Sequence, residues 1–112
     1  MEAIHRLDIS GLRAGYRAGT FSPEEAVRAL AARIDAVDPA IHGYLHIDLE
    51  TALQEARAAD LSLPLGGVPV AIKDVLNVRG QPCTCASRIL QGYVAPYDAT
   101  VIARLRAAGA IP

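Results

Sequence analysis

The sequence predicts an α/β fold in which helices lead into the first strands of a sheet. Three observations carry that expectation. Apolar residues recur at helical spacing through much of residues 7–60. A continuous apolar run, Val68-Pro69-Val70-Ala71-Ile72, follows a loop rich in proline and glycine, the pattern of a strand covered on both faces. A last helix then stops at Gly109, and Ala110-Ile111-Pro112 reads as a second strand beginning. Strand, crossover helix and strand make a parallel unit whose partners lie further along a chain. Two regions are expected: helical over 1–60, and the start of an α/β core over 61–112, the whole being an N-terminal fragment.

The first helix is expected over residues 7–18, with Ile9, Leu12 and Tyr16 on one face. Gly11 and Gly15 each weaken it by about 1 kcal/mol relative to alanine. The second opens on a strong signal: Ser22 as N-cap, Pro23 in the first turn and Glu25 completing a capping box. Val27, Leu30, Ala31, Ile34 and Val37 form its stripe, Glu24 and Arg28 pair across one turn, and Pro39 is expected to end it. Residues 41–47 alternate, Ile41, Gly43, Leu45 and Ile47 against His42, Tyr44 and His46, which predicts a short extended segment. A third helix follows over about 48–60, striped by Leu49, Ala52, Leu53 and Ala56. After the buried strand and an irregular stretch over 74–86, Asp98 is expected to cap a last helix that turns Val101, Ile102, Leu105 and Ala108 inward. Pro69 belongs at the start or edge of its strand, because it cannot donate to a ladder.

Composition excludes several classes. With 112 residues, 52% hydrophobic and 21% charged, the chain is globular and at most one domain. Its net charge of −1 leaves no strongly basic nucleic-acid footprint, and the division into −4 over residues 1–60 and +3 over 61–112 is a mild skew that fits solvated faces. No apolar run approaches the ~20 residues of a membrane span. Glu2, His5, Arg6 and Asp8 interrupt the start, so no secretory signal is read there, and two cysteines make no disulfide framework; the expected compartment is cytoplasmic.

The chemistry concentrates at one position. Ten arginines stand against a single lysine, Lys73, at the end of the most apolar run. Arginine cannot be deprotonated in proteins; lysine can. A buried strand that delivers Lys73 and Asp74 at its C-terminal edge would place an amine where α/β sheets hold their sites. Burial would depress that amine toward neutrality and suit it to general-base work, with Asp74 orienting it or capping the next turn. The other candidates carry less. Cys83 and Cys85 form C-x-C without metal-ligand company and read as reduced structural thiols. His42 and His46 lack a ligand context, and Gly66-Gly67 precedes its strand, so it is no phosphate loop.

The segment Gly66-Gly67-Val68-Pro69-Val70-Ala71-Ile72-Lys73-Asp74 resembles the G-x-P-x-x-x-K-D motif of the amidase signature family, the Ser-(cis)Ser-Lys amidohydrolases. Thr84-Cys85-Ala86-Ser87-Arg88-Ile89-Leu90, then Tyr97-Asp98-Ala99-Thr100-Val101, is similar to one branch, the A subunits of glutamyl-tRNA(Gln) amidotransferases. The helical stretch Ser22 to Asp38, with Pro39, Ile41 and Tyr44-Leu45, is similar to the N-terminus of that branch. Val75 departs from the pattern, since many relatives carry Asn there. The resemblance implies the start of an amidase-type mixed sheet, incomplete here. It implies that Lys73 is the catalytic lysine, taking a proton through a bridging cis-serine from a nucleophilic serine, with Asp74 and Ser87 in support. Both catalytic serines would lie in a Gly/Ser-rich segment outside this chain; Ser10, Ser22, Ser62 and Ser87 lack that context, and the fragment alone should be inactive. It further implies glutamine as substrate, no metal and no cofactor in this subunit, ATP and Mg used by a partner subunit, other amidotransferase subunits as partners, and tRNA reached through them. Two alternatives remain: a stand-alone amidase of the same family, and a non-enzymatic helical interaction module.

Overall fold

The computed structural model describes residues 2–112 as four α-helices and two 3-10 turns joined by irregular segments. The helices are α1 (Ile9–Ala18), α2 (Pro23–Ile41), α3 (Leu49–Arg57) and α4 (Thr100–Ala107). The 3-10 turns, Ile4–Arg6 and Arg88–Leu90, had no sequence signal strong enough to expect.

The capping chemistry governs the helix starts. Asp8 accepts the Gly11 amide at 2.7 Å ahead of α1. At α2 both halves of the expected capping box form: Ser22 Oγ accepts from the Glu25 amide at 3.2 Å, and Glu25 Oε2 accepts from the Ser22 amide at 2.7 Å. Pro39 does not end α2, which runs on to Ile41. Proline's fixed φ is itself helical, and so near the end it forfeits one bond without breaking the turn. The stop falls at His42, left-handed at φ 56°, and the Asp38 carboxylate receives the amides of Gly43 and Tyr44.

That exit overturns the extended segment expected over 41–47. Ile41 closes the helix, and Gly43 to Ile47 all stand exposed in a loop without a strand partner. The alternation had no sheet to read against. Asp48 caps α3 through the Thr51 amide, and α3 ends three residues short of the expected boundary.

Two small clusters form the core. Leu12, Tyr16, Phe21 and Ala26 pack where α1 meets the start of α2; Val27, Leu53, Ala56 and Ile111 join α2, α3 and the end of the chain. Ile9, expected on the buried face of α1, is instead exposed. Tyr16 meets Phe21 edge-on at 5.6 Å and donates its hydroxyl to the Gly67 carbonyl at 2.8 Å, and burial pushes its phenol up to about 12. Gly15 makes room for this packing: a Cβ there would lie 2.2 Å from the Phe21 ring. Between helices, Glu24 binds both Arg28, as expected, and Arg57 of α3; chiefly through Arg57 its carboxyl is held down at about 2.

The sheet is reduced to its first contact. The only pairings among the described residues are a parallel bridge, Pro69 with Ile111, and an antiparallel one, Pro82 with Val94. Around the parallel bridge the Ile111 amide donates to Val68 O and the Val70 amide to Ile111 O, both at 2.8 Å, so Pro69 sits where no donor is needed. Val68 is buried but Ala71 is exposed and Ile72 half-buried, so Val68–Ile72 is not the doubly covered strand the sequence predicts. Its α/β grammar survives as a single parallel rung closed by α4. In α4, Ile102 is fully buried while Val101 is 45% exposed, contrary to expectation. Nor does Asp98 cap the helix; it accepts the Arg79 amide and Arg106 Nε, and the N-cap Ala99 offers no side chain. Arg106 reaches on to Glu55 at 2.6 Å, tying α4 to α3.

The chain is a slab of 47 × 33 × 20 Å with a Cα radius of gyration of 14.5 Å, against about 13 Å for a compact chain of this length. A slab that thin leaves large side chains uncovered, with Leu45 77% and Ile89 92% exposed. No helix among the described residues is long and apolar enough to cross a membrane.

Tyr16→Phe is expected to cost about 1–3 kcal/mol, because it strands the buried Gly67 carbonyl. Gly15→Ala is expected to cost a similar ~1–3 kcal/mol by overpacking against Phe21. Urea unfolding measures both; an unchanged midpoint in either variant would contradict this account of the core.

Candidate active site

The backbone after the parallel bridge leads to Lys73 within four residues. Lys73 and Asp74 line one side of an open hollow of about 470 Å³, faced by the loop of Tyr44 and His46 and by Gln81 and Pro82. Lys73 is exposed, not buried as the sequence reading requires of a depressed amine. The reason is local: only the Val68 end of the apolar run is covered, and no second strand flanks its far end among the described residues. The Lys73 carbonyl accepts the Leu76 amide at 3.1 Å, which turns the chain sharply after Asp74.

Asp74 has a role the sequence did not indicate. One carboxylate oxygen accepts the Thr84 amide at 2.9 Å and the other accepts the Thr84 hydroxyl in a very short bond. Thr84 Oγ1 then receives the Ala86 amide at 3.2 Å, while the Asp74 carbonyl accepts the Cys85 amide at 2.9 Å. Chiefly through Thr84, the Asp74 carboxyl lies below its ordinary range. Asp74 thus neither caps the turn that follows it nor is seen bonded to Lys73; it grips the 84–86 turn across ten residues. That turn needs the grip, because Cys85 and Ala86 are consecutive non-glycine residues at φ 51° and 58°. Left-handed backbone of this kind costs of order 1–3 kcal/mol per residue and persists only when its surroundings over-determine it. Ser87, offered with Asp74 as a supporting residue, caps the Arg88–Leu90 turn through the Ile89 amide.

Thr84 is the residue sequence reasoning missed. It lies in an irregular stretch, and no periodicity links positions ten apart there. His46 reaches the hollow, yet among the described residues no group of three or more His, Cys, Asp or Glu could hold a metal ion. Cys83 is buried, with Sγ 3.9 Å from the Asp74 carbonyl; Cys85 is exposed; both are free thiols. Gly66 and Gly67 serve packing, Gly66 buried against the Asp60–Leu61 backbone beyond α3 and Gly67 against Pro23 at the start of α2.

The site is thus a single parallel rung closed by a crossover helix, with the lone lysine of the chain just beyond it. The family model for the amidases matches residues 25–112, and the chain belongs to that family. Among named relatives it is 54% identical over 108 residues to the A subunit of the glutamyl-tRNA(Gln) amidotransferase of Methylacidiphilum infernorum, covering 96% of this chain and 22% of that protein. It is 49% identical over 107 residues to the protein of the same name from Acidothermus cellulolyticus, covering 89% of this chain and 21% of that one. The chain therefore spans about a fifth of the length of these curated relatives. Among solved structures it is similar to 6-aminohexanoate cyclic dimer hydrolase complexed with substrate, at TM-score 0.86 and 30% identity over 94% of this chain and 22% of that one. It is also similar to a chain of a vestigial protein complex described as revealing the origins of an s-triazine catabolic enzyme, at TM-score 0.87 and 28% identity over 94% of this chain and 25% of that one. The amidase-fold likeness reaches across nearly all of the chain although its sheet is only a rung.

The Asp74 grip has a pH signature. A carboxyl held below its ordinary value stabilises the fold fully above that value and loses its contribution as pH falls through the depressed one. The amide resonance of Thr84 should therefore titrate with a midpoint below the usual ~3.9 of an aspartate, and Asp74→Ala should abolish the titration. A midpoint at or above the usual value would show that the grip is absent in solution.

Proposed function

We propose that this chain is the N-terminal part of a glutaminase subunit, which hydrolyses glutamine to supply ammonia for converting Glu-tRNA(Gln) to Gln-tRNA(Gln). The observation that carries the reading is the Gly66–Asp74 segment, which sets the only lysine of the chain directly beyond the parallel rung, in a chain 54% identical to a named relative of that kind. In this reading Lys73 is the base. Its neutral amine takes a proton, through a bridging serine, from a nucleophilic serine; the nucleophile attacks the side-chain amide carbon of glutamine, ammonia leaves, and water releases the acyl group. Both serines belong to the remainder of the full-length protein. So does the desolvation of Lys73, since an amine becomes neutral near pH 7 only when burial disfavours its charge.

Asp74 and the 84–86 turn support the base by fixing the backbone on which it stands. The glutaminase itself uses no cofactor. Activation of Glu-tRNA(Gln) with ATP and Mg falls to a partner subunit of a cytoplasmic complex, and the tRNA is met there. The second reading is a stand-alone amidase, favoured by the likeness to the cyclic dimer hydrolase. Glutaminase activity that rises on adding the partner subunits separates the first from the second.

The test is made in the full-length protein with its partners. Lys73→Arg keeps the charge and cannot accept a proton; Lys73→Met keeps the stem and loses the amine. Both are expected to lower glutamine hydrolysis by at least ~10²-fold, the lower range for a positioned acid–base group. Amidation driven by free ammonia should persist in both. The 112-residue chain alone should release no ammonia from glutamine. Near-normal hydrolysis by Lys73→Arg would reduce Lys73 to a charge or a spacer.

A further inference from the structure

The hydrolysis proposed above uses neither thiol, yet the fold brings the Cys83 sulfur and the Cys85 backbone to the same atom. Cys83 Sγ lies 3.9 Å from the Asp74 carbonyl oxygen, and the Cys85 amide lies 2.9 Å from it. Between them Thr84 is pinned to the Asp74 carboxylate by its amide and its hydroxyl, so the C-x-C segment is held curled instead of extended. The two cysteines differ sharply in access. Cys83 is 4% exposed; Cys85 is exposed, on a left-handed turn at φ 51°.

We propose that Cys85 and Cys83 form a thiol–disulfide exchange site for low-molecular-weight disulfides, with Cys85 as the attacking thiol and Cys83 as the resolving one. The division follows from access, since an exchange reaction needs a thiolate that the small disulfide can reach. Cys85 sulfur attacks one sulfur of the disulfide; the S–S bond breaks and the first small thiol leaves with a proton. Cys83 sulfur then attacks the Cys85 sulfur of the mixed disulfide, and the second small thiol leaves with the other proton. The chain loses two electrons and two hydrogens to form a Cys83–Cys85 disulfide, and the small disulfide gains both to become two thiols. Burial pushes the Cys83 thiol up, and the neighbouring Cys85 pushes it further in the same direction. Closing the bond turns the Cys83 sulfur away from the Asp74 carbonyl, and so acts on the turn that Asp74 grips one residue beyond Lys73.

The experiment treats the reduced 112-residue chain with glutathione disulfide under native conditions and reads intact mass and peptide maps. The expected product is two hydrogens lighter than the reduced chain, carries no glutathione, links Cys83 to Cys85, and returns to the starting mass with dithiothreitol. Cys83→Ser should trap one glutathione on Cys85, and Cys83→Ala gives the same reading should the serine variant fail to fold. Cys85→Ser should slow the reaction by at least ~10-fold, because the remaining thiol is buried. A glutathione adduct that persists on the unsubstituted chain, a disulfide-linked dimer, no reaction, or an undiminished rate in Cys85→Ser would each overturn the proposal.

Discussion

Everything in this chain hangs on the main-chain seam between residues 65–70 and 108–111. Leu65 and Gly67 donate to Ala108 and Gly109, Ile111 donates to Val68, and Val70 donates back to Ile111. The seam is possible because two glycines meet in it. A Cβ on Gly109, whose φ is 96°, would lie 2.8 Å from the Gly66 Cα. It closes a long loop, from Val70 to α4, that contains Lys73, Asp74 and the strained 84–86 turn. It also seats Ile111 against Val27, Leu53 and Ala56, so the same few bonds connect the helical half to the sheet-forming half. The Tyr16 bond to the Gly67 carbonyl and the Arg106–Glu55 pair reinforce that connection from side chains.

Inside the loop, order is maintained by polar bonds more than by burial. Asp74 holds Thr84, Asp98 holds Arg79 and Arg106, and Arg106 holds Glu55. Such contacts fix geometry where apolar area is scarce, and they are individually modest. They suit a segment that, in the proposed function, presents a lysine at a defined position while its far end stays uncovered in this chain. Membership of the amidase family and the proposed role of Lys73 meet at this point: a base must stand on a backbone that does not drift.

The sequence disclosed what local chemistry decides. The Ser22–Glu25 box, the Glu24–Arg28 pair and the stop at Gly109 are written in neighbouring residues, and the family was legible because Gly66 to Asp74 is contiguous. Distant partners were not legible. Nothing near Asp74 points to Thr84, and nothing near Asp98 points to Arg79, so the sequence suggests only a cap for Asp98, and for Asp74 a cap or a partner that orients Lys73. Burial was misjudged for the same reason. Val68–Ile72 has the composition of a covered strand, but coverage is supplied by neighbours, and among the described residues its one bridge is that of Pro69 with Ile111. The alternation over 41–47 failed where Asp38 and a left-handed His42 redirect the chain, an outcome set by one side chain and one dihedral.

The seam can be tested alone. Amide hydrogen exchange of Gly109→Ala, read at Val70 and Ile111 with the amides of α2 as internal reference, isolates it. The added methyl cannot fit against the Gly66 backbone, and φ 96° is closed to alanine at a cost of order 1–3 kcal/mol. The account predicts that Val70 and Ile111 lose protection together while α2 retains its own. Undiminished protection at both amides in the folded variant would contradict it.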